Sequence, residues 1–123
     1  MMRRAGYALA ALCVALAPVT VSAAGISTSD LGVVDGKDAC MARATSVMQQ
    51  YNGALGADAV EPGNWLVYGF GLKPGNQDAV IMCSASTTAG NDFRRAVLVV
   101  YGNAGDAELN ATRDVIKGYW NAN

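Results

Sequence analysis

None of the 123 residues is histidine. That removes the Ser-His and Cys-His nucleophile–base pairs, the commonest general acid–base side chain and the usual zinc ligand sets. Cysteine is scarce, with three residues and no Cys-x-x-Cys spacing, so redox chemistry of that kind lacks its motif. Charged residues make up 15% of the chain, no internal repeat or low-complexity tract is visible, and no apolar run reaches the roughly 20 residues needed to span a bilayer. Gly69-Phe70-Gly71 lacks the third glycine of a dinucleotide-binding loop and leads to Pro74 rather than into a helix.

What is present begins with Met1-Met2-Arg3-Arg4, a basic start, followed by an Ala- and Leu-rich stretch from Ala5 to Ala17 that Pro18 ends. This pattern reads as a signal peptide over residues 1–23, with cleavage expected after Ala23 and Ala24 as the alternative. Ala5-Gly6-Tyr7 does not extend a twin-arginine motif, and the bulky Leu12 before Cys13 does not suit lipid attachment. We expect ordinary export, to a bacterial periplasm or beyond, with no membrane segment left after processing. Losing Arg3 and Arg4 turns nine basic against ten acidic groups into seven against ten. A mildly acidic chain with scattered cations lacks the basic patch that nucleic-acid binding requires.

With Cys13 removed, Cys40 and Cys83 remain in a small exported chain, and a disulfide is the default expectation. It would close a loop of about 44 residues, which the chain-entropy relation equates with about 4 kcal/mol. For a domain of about 100 residues, whose net stability is about 5–15 kcal/mol, that is a large share.

Ala24 to Val34 carries Ser, Thr and Gly with a short apolar tail, so residues 24–36 are expected to form an extended arm. Residues 37–123 form one α+β domain in this reading. Asp35 is positioned to cap a helix from Lys37 to Ala54, with Asp38 favourable in its first turn. Cys40, Ala44, Val47, Tyr51 and Leu55 recur at three- and four-residue spacing, with Met41 and Met48 on the adjoining strip, and define its inner face. Gly56 to Asn64 has no periodicity and reads as a loop. Three strand-forming runs follow, Trp65 to Leu72, Asp78 to Ser86 and Phe93 to Gly102, joined by short Pro-Gly and Gly-Asn connections. Asp106 is a candidate N-cap for a last helix with Leu109, Thr112, Ile116, Tyr119 and Trp120 on one side. The expected architecture is helix, three-stranded antiparallel meander, helix, with both helices on one sheet face and Cys40 bonded to Cys83.

Alternation along the middle strand puts Ala79, Ile81, Cys83 and Ala85 on the helix side, and Val80, Met82, Ser84 and Ser86 on the other. We expect Leu66, Tyr68, Phe70, Leu98 and Val100 to join Cys83. The opposite face would present Trp65, Val67, Val80, Met82, Arg95, Val97, Val99 and Tyr101. Two helices cannot cover both sides of a sheet, so this second face is covered by the arm, by another copy of the chain or by a different protein. Aromatic and aliphatic groups with an Arg at the rim are what binding surfaces favour.

Catalytic readings are thin. Asp58 and Glu61 share a connection that could lie near Arg94 and Arg95, but rim salt bridges explain such groups as well. Asp30, Asp35 and Asp38 do not follow the alternate spacing of an EF-hand loop. Met41, Met48 and Met82 could bind copper(I) only if they converged, and methionine is an ordinary core filler. Asn110-Ala111-Thr112 matches a glycosylation acceptor in the middle of a helix. No cofactor or metal is implied. In size, export and a single disulfide the chain is similar to small periplasmic inhibitors and immunity proteins as a class, without a shared motif. The expectation is a disulfide-stabilised binding or inhibitory protein that acts by protein–protein contact. The alternatives are a self-associating envelope component and a carboxylate-dependent enzyme.

Overall fold

The computed structural model describes residues 24–85 and 92–123. Residues 1–23, read above as a signal peptide, and residues 86–91 lie outside the described residues. The element order is β1 (Gly25–Asp35), α1 (Lys37–Ala54), β2 (Ala59–Pro62), β3 (Leu66–Leu72), β4 (Gln77–Ala85), β5 (Phe93–Gly102) and α2 (Asp106–Ala122). The fold is α+β, as composition and periodicity indicate, but the sheet has five strands in the order β1-β5-β4-β3-β2, not three. Every neighbouring pair is antiparallel.

The meander β3-β4-β5 is the expected one, with β4 central. The two added strands come from the arm and the connecting segment. β1 pairs along β5 from Gly25 opposite Gly102 to Asp35 opposite Phe93, so the arm extends the sheet at its edge and does not cross its face. β2 is four residues long and pairs with β3. A bulge interrupts β1 between Asp30 and Gly32. Leu31 is skipped in the pairing, and its carbonyl accepts the indole N–H of Trp120 at 3.0 Å. The Asp30 carboxylate accepts the Gly32 N–H at 2.8 Å, and Gly32 takes a positive φ of 95°, the conformation glycine adopts without strain.

α1 lies over β2 and β3, and α2 over β1 and β5. Cys40, Ala44, Val47, Met48 and Tyr51 of α1 are buried, as are Leu109, Thr112, Ile116 and Trp120 of α2, so the 3.6-residue periodicity identifies both inner faces. Leu55 alone departs from the expected strip: it follows the last turn of α1 and is 45% exposed. Neither helix start uses the expected cap. Gly36 occupies the N-cap of α1 and Gly105 that of α2, without side-chain capping bonds of their own. Asp92, just before β5, takes the role assigned to Asp35, accepting from Gly36 N–H through its carbonyl (2.7 Å) and from Lys37 N–H through its carboxylate (3.4 Å). Helix-terminal donors need an acceptor, and one distant in sequence serves equally well.

The disulfide joins Cys40 of α1 to Cys83 of β4. Both residues are fully buried, so the bond runs through the centre of the helix–sheet layer. Arg43 ties the helices together. Its guanidinium donates to the Trp120 carbonyl at 2.6 Å and stacks over the Trp120 ring at 4.3 Å, a cation–π contact at a partly desolvated helix junction.

Candidate functional site

The surface of interest is the sheet face that neither helix touches. On β4, Ala79, Ile81 and Cys83 are buried toward the helices, while Asp78, Val80, Met82 and Ser84 alternate with them and are partly exposed. β5 follows the same rule. Ala96, Leu98 and Val100 point inward, while Arg95, Val97, Val99 and Tyr101 point outward. These assignments agree with the alternation read from the sequence.

β3 is the reverse of what its sequence suggests. Leu66 pairs with Met82 and Tyr68 with Val80, so Leu66, Tyr68 and Phe70 belong to the outward face. Val67, expected there, is fully buried on the helix side. Trp65, in the bend before β3, is 42% exposed. Its carbonyl accepts from the Cys83 N–H at 2.8 Å, which sets it opposite Cys83 in the helix-facing row and off the outward strip. The cause lies in the glycines. A Cβ on Gly69 would come within 2.2 Å of the Met48 methyl, so α1 approaches β3 too closely for a row of aromatic rings. The small-residue row faces the helix and the rings turn outward, where Tyr68 and Phe70 stack with centroids 5.5 Å apart. Gly71, at φ 60°, sits in the irregularity between Gly69 and Leu72 that returns Leu72 to the core.

The outward face is therefore an aliphatic and aromatic strip across β3, β4 and β5, with polar groups at its margins. Asp30 of β1 forms an ion pair with Arg95. The Gly32 N–H, and then Arg95, hold the Asp30 carboxyl below its ordinary range. Burial pushes the Tyr101 phenol up, with Asp78 and Tyr68 adding in the same direction. Ile26 and Val33, on the β1 margin, are 68% and 51% exposed, the most exposed large hydrophobic residues among those described.

The acidic and basic groups weighed as a catalytic set are not brought together. Asp58 pairs with Lys73 at 3.5 Å, Arg94 with Asp92 at 3.2 Å and Arg95 with Asp30, and two strands separate β2 from β5. Met48 lies among the helix-facing core and Met82 on the outward face, so the sheet stands between those two sulfurs. Among the described residues, no three Asp, Glu or Cys side chains gather as a metal site, and no helix is long and apolar enough to cross a membrane. Asn110, in the middle of α2, accepts from Ser27 at 2.7 Å.

Two concavities lie elsewhere. A shallow groove of about 650 Å³ runs between α1 and the β2–β3 bend. A cleft of about 300 Å³ between the β3–β4 turn and α2 is lined by Pro74, Gly75, Gln77, Glu108, Ala111 and Thr112. In that cleft Glu108 is the one titratable side chain, and the Gln77 side-chain oxygen is buried without a partner. In the groove, the Thr45 hydroxyl donates to the Met41 carbonyl at 2.8 Å and the Lys37 ammonium to the Asn64 side chain at 2.8 Å. No protein-family model, curated protein or solved structure matches the chain.

Proposed function

We propose that the protein is a small exported binding protein of a bacterial envelope, one that acts by protein–protein contact through the outward face of its sheet. The observation that supports this reading is the strip that, among the described residues, no helix covers. Tyr68, Phe70, Val80, Met82, Val97 and Val99 form a continuous apolar surface on the central strands, rimmed by Arg95, Asp30 and Asp78. Apolar surface of this kind, contiguous and edged with charge, costs free energy in water unless it is covered, and it has the composition of an interface centre. The buried disulfide gives the face a rigid support. Contact surfaces on rigid scaffolds lose little conformational entropy on binding.

Capture from envelope extract with immobilised wild type, Met82→Asp and Ala39→Asp tests the reading. Met82 is at the centre of the strip, whereas Ala39 is exposed on α1. We expect specific partners to be retained by wild type and Ala39→Asp and lost by Met82→Asp. Equal recovery by all three proteins, each folded by circular dichroism, sinks the sheet-face reading.

A further inference from the structure

We propose that the occupant of the outward face is a second copy of this chain, packed face to face about a two-fold axis that crosses the strands between the levels of Val80 and Met82. The proposal rests on the contact-surface reading above and adds the identity of the partner.

The strand register sorts the outward residues into four levels. Val80 stands level with Val99 and Tyr68, and Met82 with Val97 and Leu66. One step toward the start of β4, Asp78 is level with Tyr101 and Ile26. One step toward its end, Ser84 is level with Arg95 and Val33. A two-fold axis across the strands lays the first level on the fourth and the second on the third.

The resulting pairs are complementary. Val80 meets Met82 of the second copy, and Val99 meets Val97. The Asp78 carboxylate meets the Ser84 hydroxyl, and the Tyr101 ring meets the Arg95 guanidinium, a pairing favoured by the ring quadrupole. At the margin, the two most exposed aliphatic side chains, Ile26 and Val33, meet each other. Each contact occurs twice, as an isologous interface requires. The alternative axis, parallel to β4, would set Asp78 against its own copy, two carboxylates in a closing interface.

The size also fits. Five strands at about 4.8 Å spacing and about 3.3 Å per residue present on the order of 500 Å² in flat projection. Side-chain relief raises this toward the roughly 800 Å² per partner of a standard interface. Two such sheets pack about 10 Å apart with interdigitating side chains.

The test is sedimentation velocity of the oxidised processed chain, Ala24 to Asn123, between about 1 and about 200 µM. We expect a monomer–dimer equilibrium in wild type and in Val115→Asp, which alters the outer side of α2. Met82→Asp should weaken association at least about 100-fold by burying an unpaired charge, and Arg95→Ala about 10-fold, with unchanged circular dichroism. Amide shifts of wild type on dilution, which need no variant, should map to outward residues of β3, β4 and β5. A dimer indifferent to Met82→Asp overturns the proposal, because it uses another surface. A monomer throughout that still loses its captured partners on Met82→Asp overturns the second copy and leaves the contact-surface reading standing. A monomer whose partners are unaffected overturns both.

Discussion

The two faces of β4 are built from similar residues and serve different ends. Ala79, Ile81 and Cys83 are fully buried under the helices, whereas Val80 and Met82, their immediate neighbours, remain partly exposed. Hydrophobicity alone does not distinguish them. What separates them is that the inner row is fixed by a covalent bond and by two helices, whereas among the described residues the outer row has only its own sheet neighbours. Stability should therefore be concentrated on one side of a single strand, and association on the other.

The sharpest break of this comparison is removal of the staple. Cys40→Ala/Cys83→Ala opens a loop with a sequence separation of 43 and should cost about 4 kcal/mol. For a domain of this size that means a fall in Tm on the order of 20 °C, read by calorimetry. Next comes Ile81→Ala, which leaves a cavity beneath the helices and should cost about 3 kcal/mol in urea unfolding. Val80→Ala, one residue away, should cost less than about 1 kcal/mol in the monomer while weakening association, and comparable losses at the two positions would remove the distinction between the faces.

Between Ile81→Ala and Val80→Ala falls Trp120→Phe, which deletes the hydrogen bond to Leu31 and shrinks a fully buried ring, and should cost about 2 kcal/mol. Hydrogen exchange should show the loss concentrated in β1, the strand that this bond secures. The smallest effect concerns Asp30, whose carboxyl is held below its ordinary value of 3.8 by the Gly32 N–H and Arg95. Its contribution to stability is fully present above that value and disappears as the pH falls through the lowered one. Asp30→Asn should flatten this part of the acid limb in urea midpoints measured between about pH 2 and pH 6.

How much of this was legible in the chain depends on how far each element is specified locally. Helices α1 and α2 carry their inner faces as a strong period, and Val80, Met82, Arg95 and Tyr101 follow from simple alternation. The pairing of Cys40 with Cys83 follows from cysteine arithmetic. β1 was visible only as an extended arm, because Ser27, Thr28, Ser29 and Asp30 lack the apolar alternation of a buried strand, and their order comes from β5, far away in sequence. β2 is four residues ending in Pro62, too short to show a period. The face of β3 is the reverse of the expected one because large rings usually point inward. Here the room under α1 decides, and Met48 against Gly69 leaves none. The outward strip thus gained Leu66, Tyr68 and Phe70 and lost Trp65 and Val67. The glycines at 69 and 71 were the available signal, since a row without side chains is one that something else approaches.

The pairing of β1 with β5 also orders events in time. Gly25 finds Gly102 and Leu31 finds Trp120, so the first strand is completed by the last strand and the last helix. A chain that emerges N-terminus first holds β1 without a partner until nearly all of its length has followed. Assembly of this sheet ends at its first strand, a long-range closure that slows folding relative to local pairing.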